Sequence, residues 1–588
     1  MYGFHKRLLT IDLSKRTYAI EVLPDELLVQ TLGGKGLGTH LLLEHNPPGV
    51  DSFGADNRLV FALGPVTDTV VWGGCRYGVY SKSPQTGLYS ESYSGGKAAE
   101  YMSRTGFDAF MIHGRSEIPV WIEINEEGSV FHDAKELWGR DTYETEDYVK
   151  TWIKDNCPAA KDCAALTIGP GGENGVAFSV IENDYWRSAG RTGPGAVMGS
   201  KQLKAIGFWG ARKRPIADQG KLLSEAINFS KEFKHHPGAD AYKKMGTPMM
   251  VDIMSSVGSF PTRYWHQGQA PHQQAINAKA LHERCEVKPH ACRKCFMACG
   301  RLSRVKGGRH AGLRLEGPEY ETIYTFGGLC MVDNIEDIVY LNDICDRLGI
   351  DTISAGNLVA LAIEAFKQGK TDFPIDYGQT DQIAALLADI ADCQGLGKIL
   401  AQGIKSAAPA LGMEEQAIHV KGLEPAGYDP RVLKGMGLSY GTSPRGACHL
   451  RTTFYKPELA KMIEPDQIEG KAKMLVDWEN RLIVFDCLVL CRFYRDFYQW
   501  DSLVGLLSTV TGMEWDRAAL WEVASRVSDN TRRFNIREGL TKVADNLPAR
   551  FFNEPLPETG KVITENELDR MLSDYYAERN WEEKGLIG

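Results

Sequence analysis

The sequence predicts an α+β protein, with a β-rich N-terminal domain followed by two mainly α-helical domains. Three observations carry this. Up to about residue 210 the chain is dense in short β-branched and aromatic runs broken by glycine. After Ala217-Asp218 the apolar residues fall at helical spacing. A polar stretch at 412–417 then marks a plausible break within the helical part. The domains expected are 1–211, 212–415 and 416–588.

The predicted strands are Arg7–Leu13, Arg58–Leu63, Ala109–His113 and Val120–Ile124. Glycine-rich stretches lie between and after them: Leu32–Gly38, Trp72–Arg76, Ser94–Gly96, Ile168–Gly172 and Ala189–Gly195. None ends in Gly-Lys-Ser/Thr, and Gly34-Lys-Gly36 lacks a full Gly-x-Gly-x-x-Gly, so no nucleotide loop is indicated. Tight hairpins are the plain expectation, and backbone brought close to a phosphate is the functional one. Asn334–Gly349 reads as a helix ending in glycine, and Asp351–Phe366 as a second helix with Asp351 as its N-cap. Gly395–Gly403 leads into the polar stretch, and Met474–Tyr494 is the longest apolar segment. No internal repeat or low-complexity tract is visible.

The 588 residues suit about three to four domains by length. With 43% hydrophobic and 24% charged residues, the composition is that of an ordinary globular protein. The net charge of −9 argues against a general nucleic-acid binder. No apolar h-region opens the chain and no run is long enough to span a bilayer. Thirteen cysteines without a periodic framework fit reduced thiols in a cytoplasm.

Four of those cysteines carry chemistry. Cys292, Cys295 and Cys299 stand at i, i+3 and i+7, where a tight loop running into a helix can turn them to one side. Cys491, alone in an apolar run, can supply a fourth thiolate. A [4Fe–4S] cluster takes four cysteines. Structural zinc usually pairs two Cys-x-x-Cys hooks, which fits less well, and unliganded thiols are the third reading. Asp486 lies in the same apolar run, where a carboxylate needs strong hydrogen bonds. A nearby arginine would serve, and so would a ligand with two adjacent N–H donors, such as the amino-pyrimidine edge of a pterin.

Several separate motifs, in order along essentially the whole chain, resemble the aldehyde ferredoxin oxidoreductase family of tungsten enzymes. They are Met1-Tyr-Gly, Gly73–Gly87, Ala189–Lys201, Gly317–Thr322, Leu348–Ser354, Tyr428–Arg431 and Ser443–His449. The resemblance implies a β-rich domain forming the base for a tungsten-bispterin cofactor, capped by the two helical domains. Molybdenum could stand in place of tungsten. It also implies a [4Fe–4S] cluster on Cys292, Cys295, Cys299 and Cys491, and Mg2+ bridging the pterin phosphates. Asp351 with Ser354 matches one pterin-binding segment. Asp486 with Leu490 matches the other, with Val489 where the family has glycine. Arg76 matches the arginine between cluster and pterin. Ser94-Gly95-Gly96 and Ala189-Gly190-Arg191 match the backbone near the phosphates. Glu321, Tyr428 and His449 match the substrate pocket. An inter-subunit metal motif of some members is replaced here by Tyr340–Asp343.

The activity implied is reversible oxidation of an aldehyde to the carboxylic acid. Electrons would pass to ferredoxin or an iron–sulfur subunit, in a homo-oligomer or a heteromeric complex. The alternative within the same resemblance is the active-site subunit of a class II aryl-CoA reductase, and a non-catalytic cluster or zinc protein is a third reading. Arg293, Lys294, Arg301, Arg304, Lys306, Arg309 and Arg314 fall within 22 residues. They are either a solvated loop or a dock for an acidic redox partner.

Overall fold

The computed structural model describes residues 1–582 and 585–587. The N-terminal part builds two six-stranded sheets. The first holds β1 (Arg7–Asp12), β2 (Thr17–Val22), β3 (Leu59–Ala62), β4 (Tyr77–Lys82), β5 (Tyr89–Ser94) and β6 (Ala109–His113). The second holds β7 (Val120–Asn125), β8 (Gly128–Asp133), β9 (Ala164–Thr167), β10 (Ile181–Asn183), β11 (Arg187–Ala189) and β12 (Leu203–Phe208). The four strands predicted from sequence are β1, β3, β6 and β7. Several others are three or four residues long, too short to show a period.

The strand orders are β2-β1-β6-β3-β4-β5 and β8-β7-β12-β9-β10-β11. The two are the same order with the numbers advanced by six. The pairing senses agree as well: β1 with β6 and β7 with β12 are parallel, and the other pairs are antiparallel. The expectation of no internal repeat is therefore corrected, because the duplication is one of topology. In each half the last hairpin strand, β5 or β11, runs through a glycine-bearing turn into a helix, Ala98–Arg104 or Pro194–Ser200. These turns are Ser94-Gly95-Gly96 and Ala189-Gly190-Arg191. None of the five glycine-rich stretches makes a tight hairpin turn: Trp72–Arg76 and Ile168–Gly172 lie in the long connections between paired β3 and β4 and between paired β9 and β10, so the expectation of tight hairpins is also corrected.

The duplication extends to how the sheets meet the helical part. After β3 comes Leu63-Gly64-Pro65, and after β9 comes Ile168-Gly169-Pro170. A Cβ on Gly64 would lie 2.3 Å from the Leu488 carbonyl oxygen. One on Gly169 would lie 2.5 Å from the Leu348 carbonyl. Each half thus presents a bare backbone to one aspartate-bearing segment, Asp486–Cys491 or Leu348–Asp351.

Asn334 caps the helix Ile335–Leu348 by accepting the Asp337 N–H, and Gly349 ends it at φ 69°. Asp351 caps Thr352–Lys367, as expected. The helix Lys471–Leu488 ends at Val489, which takes a left-handed φ of 47°. This conformation is costly for a β-branched residue. One apolar cluster fills the N-terminal sheets, including Leu9, Phe61, Ile122 and Ile206. Another runs through the helical part, with Leu361, Leu386, Met436 and Leu572.

A third sheet, β13 (Cys285–His290), β14 (Gly300–Val305) and β15 (Arg314–Glu316), is antiparallel throughout. His290 pairs with Gly300, so residues 291–299 are a hairpin loop carrying Cys292, Cys295 and Cys299. The loop runs into a strand rather than the expected helix. Among the described residues no helix is long and apolar enough to cross a membrane.

Gly64→Ala and Gly169→Ala should each cost about 1–3 kcal/mol, because the new methyl overlaps backbone that cannot rotate away. Gly505→Ala, on a helix with nothing within 4 Å of the new Cβ, should be neutral or stabilising. Thermal unfolding of the three variants checks the contrast, and similar losses in all three would contradict the packing described.

Candidate active site

The hairpin loop and the end of a distant helix bring sulfurs together through Gly73. The Gly73 N–H donates to Lys294 O at 3.1 Å, and its carbonyl accepts the Cys491 N–H at 2.9 Å. Gly95 is glycine for a related reason: a Cβ there would stand 2.9 Å from Cys292 Sγ. Burial pushes the Cys295 thiol up to about 11 and raises Cys299 well above its ordinary value. Cys292 is held down at about 5 by a hydrogen bond from the Cys75 thiol. Burial opposes this, and the Arg187 and Arg76 guanidiniums reinforce it. Cys75, a buried thiol beside these, was not singled out in the sequence. Cys487, four residues before Cys491 and so a second thiol in the same run, instead accepts a backbone hydrogen bond from Gly36. Among the described residues no three His, Cys, Asp or Glu side chains converge tightly enough to hold a single metal ion.

Beside the sulfurs lies a cavity of about 290 Å3. Arg76, Arg191, Arg445, Arg492 and Arg495 line it against two acids, Glu319 and Glu321. Arg76 Nε, Arg445 Nε, Arg492 Nε and Nη1, and Arg495 Nε are buried there without a hydrogen-bond partner. Buried N–H groups are nearly always paired, so these donors mark a place for an anionic ligand.

The two aspartates flank this space. Asp351 Oδ1 and Oδ2 accept the Ile353 and Ser354 N–H groups, and Oδ2 also accepts Arg191 Nε–H at 3.3 Å. Ser354 Oγ donates to Glu424 Oε2 at 2.7 Å. Asp486 Oδ2 accepts from Arg451 Nη1 at 2.8 Å and Arg492 Nη2 at 2.6 Å. The arginine reading of Asp486 is thus realised within the chain. Leu490 is buried, its N–H donated to Phe485 O at 2.8 Å. Ser94 Oγ donates to Asn183 Oδ1 at 2.7 Å, and Asn183 returns a bond to Gly95 O at 3.0 Å. Gly96, at φ 86°, and Gly190 continue these turns, and Ala189 is buried at the end of β11.

Glu321 lies in the short helix Tyr320–Thr322, and its Oε2 accepts the Gly427 N–H at 3.0 Å. Its Oε1 faces His449 Nε2 at 3.5 Å without a hydrogen bond. Burial pushes the Glu321 carboxyl up to about 8. Burial, then the charges of Arg191, Arg445 and Arg451, drive His449 well below its ordinary value. At neutral pH the pair is therefore a carboxylic acid facing a neutral imidazole. Tyr428 stacks on Tyr455 with centroids 4.1 Å apart and tilts toward the His449 ring at 5.7 Å. All three expected pocket residues line the one cavity.

Two family models match the chain: aldehyde ferredoxin oxidoreductase, N-terminal domain, over residues 8–210, and domains 2 and 3 over 225–588. The chain belongs to the aldehyde ferredoxin oxidoreductase family. It is 34% identical to the tungsten-containing aldehyde ferredoxin oxidoreductase of Pyrococcus furiosus, over all of this chain and 98% of that one. It is 35% identical to the protein of the same name from Thermococcus kodakarensis, with the same coverage. Its fold matches the active-site complex BamBC of benzoyl coenzyme A reductase at a TM-score of 0.85 and 22% identity, over all of this chain and 96% of that one.

Two features of this member of the family were not anticipated. The basic stretch is not a continuous exposed stripe. Arg301 is buried, its Nη1 donating to Lys243 O and Lys244 O at 2.8 and 2.9 Å. Arg309 pairs with Asp337 and Asp381, and Arg293 with Glu100. Lys294, Arg304 and Arg314 remain exposed. The second feature is the arginine lining. The available signal was Arg445, Arg451, Arg492 and Arg495 within or beside apolar segments, where arginine is seldom found unless paired.

Arg451 Nη1 bridges Asp486 Oδ2 at 2.8 Å and Glu91 Oε2 at 2.7 Å, all three buried. Arg451→Met should cost about 3–5 kcal/mol by leaving buried carboxylates short of a cation. Chemical denaturation measures it, and a loss under about 1 kcal/mol would show that Arg492 on Asp486 and Lys35 Nζ, 3.0 Å from Glu91 Oε1, alone hold the two acids.

Proposed function

We propose that this oxidoreductase converts an aldehyde reversibly to the carboxylic acid, with a tungsten-bispterin in the arginine-lined cavity and one [4Fe–4S] cluster on Cys292, Cys295, Cys299 and Cys491. The observation that carries the reading is the uncharged Glu321–His449 pair opening into a cavity of unpartnered arginine donors. The names of the relatives support tungsten. The unpaired guanidinium groups suit the phosphates of a pterin cofactor. The turns at Ser94–Gly96 and Ala189–Arg191 occupy the same place in the two sheet halves, which suits two phosphates joined by Mg2+. Asp351 with Ser354, and Asp486 with Leu490, would each face one pterin, and Arg76 would stand between pterin and cluster.

Oxidising an aldehyde adds one oxygen from water and releases two electrons and two protons. When bound, the metal centre and cluster supply the two-electron acceptor and the one-electron relay. The chain's own residues manage the protons. The Gly427 N–H fixes Glu321 Oε2, leaving Oε1 toward His449 and the cavity. Deprotonated Glu321 takes a proton from the attacking water, and His449 Nε2 receives the next. Tyr428, held flat by Tyr455, orients the carbonyl. The acceptor is a ferredoxin or iron–sulfur subunit, supported by exposed Lys294 beside the thiols. All thirteen cysteines are free, in keeping with a cytoplasmic enzyme.

Glu321→Gln and His449→Asn should each lower turnover by about 10²–10⁴-fold, with metal content unchanged and Tyr428→Phe milder. The wild-type oxidation rate should rise with pH through about 8 as Glu321 loses its proton, and reduction of the acid should fall over the same range. The pH limb should vanish in Glu321→Gln. An aldehyde assay with tungsten and iron analysis tests the reading. Turnover of an aryl-CoA thioester and of no aldehyde would sink it.

Cys491→Ala should lose bound iron while Cys487→Ala keeps four irons per chain. Iron analysis after anaerobic purification decides, and the opposite pattern would move the fourth ligand to Cys487.

A further inference from the structure

We infer that Tyr494 is a positioning residue that raises the reduction potential of the iron–sulfur site by donating a hydrogen bond to Cys295 Sγ. This rests on the cluster reading given under Proposed function. Tyr494 belongs to the turn after Cys491, its N–H donating to Cys491 O at 3.0 Å. Its hydroxyl crosses to the hairpin loop and stands 3.5 Å from Cys295 Sγ. The same oxygen accepts the Phe296 N–H at 3.0 Å. A phenol has one proton. With the Phe296 N–H directed at an oxygen lone pair, that proton is left to point at sulfur.

The ring cannot swing away. It is fully buried and packs edge-on against Phe296 at 5.0 Å. Gly73 leaves it room, since a Cβ there would come within 2.8 Å of the ring. Phe229, Phe497 and Tyr498 complete an apolar shell into which Cys295 and Cys299 pack. In such a shell a hydrogen bond to sulfur has little competition from water. One-electron reduction makes the cluster and its thiolates more negative. A fixed donor stabilises that state more than the oxidised one, so the potential rises. Tyr494 thereby links the two arms that bring the sulfurs together and biases the relay toward accepting an electron from the pterin side.

The test is an EPR-monitored redox titration of the purified, iron-loaded enzyme. Tyr494→Phe keeps the ring and removes the donor. At the wild-type midpoint its ratio of oxidised to reduced cluster should rise about tenfold, a shift of about 59 mV to lower potential, with four irons retained. Site-specific 3-fluorotyrosine at 494 keeps shape and fold but is a stronger donor, so its potential should rise above wild type. Opposite shifts in the two variants support the inference. Unchanged potentials in the fluorotyrosine protein, or in a four-iron Phe variant, overturn it alone. A wild-type protein that binds no iron overturns the cluster reading and this inference together.

Discussion

A guanidinium buried where three parts of a chain meet must find an acceptor for its donors, and Arg191 does so across all three. It leaves the N-terminal sheet at a turn whose N–H is fixed by Ser92 Oγ. Its side chain then bonds Asp351, Glu424 O and Ala447 O. The first belongs to one helical segment, and the others border the segment carrying Tyr428 and His449. The cavity has its shape because these parts are tied at one planar group. A lysine could carry the charge but could not satisfy three acceptors in a plane.

The sheet duplication explains why two aspartates so far apart in sequence behave alike. Each half of the base offers a Gly-Pro turn with no side chain in the way, and each helical segment lays its backbone there. The halves then diverge in what holds the carboxylate: Arg191 from the sheet for Asp351, Arg451 and Arg492 from the helical part for Asp486. The base is therefore symmetric in scaffold and asymmetric in charge.

Much of this was legible in the residues. The switch from short strands to helical spacing gave the architecture, and the terminal Gly349 and the N-cap Asp351 gave helix ends within a residue, because capping is local chemistry. Glu321, Tyr428 and His449 were found through motif resemblance, not through any pattern of their own. What escaped is non-local. The duplication survives in strand order and in Leu63-Gly64-Pro65 against Ile168-Gly169-Pro170, a signal too small to find without the pairing. Cys75 and the arginine lining have no periodicity, and their meaning comes from neighbours hundreds of residues away. Arg301 misled because a run of cations reads as surface until its backbone acceptors are seen.

The bridge formed by Gly73 has a consequence for how the protein comes into being. The hairpin loop leaves the ribosome long before Cys491, and the fourth sulfur reaches the others only when the end of a late helix bonds the carbonyl of a residue made near the start. A chain that stops before Cys491 cannot present all four thiols. On the proposed cluster reading, loading waits until the chain extends past Cys491 and that segment has bonded Gly73, so chains truncated before Cys491 should accumulate empty.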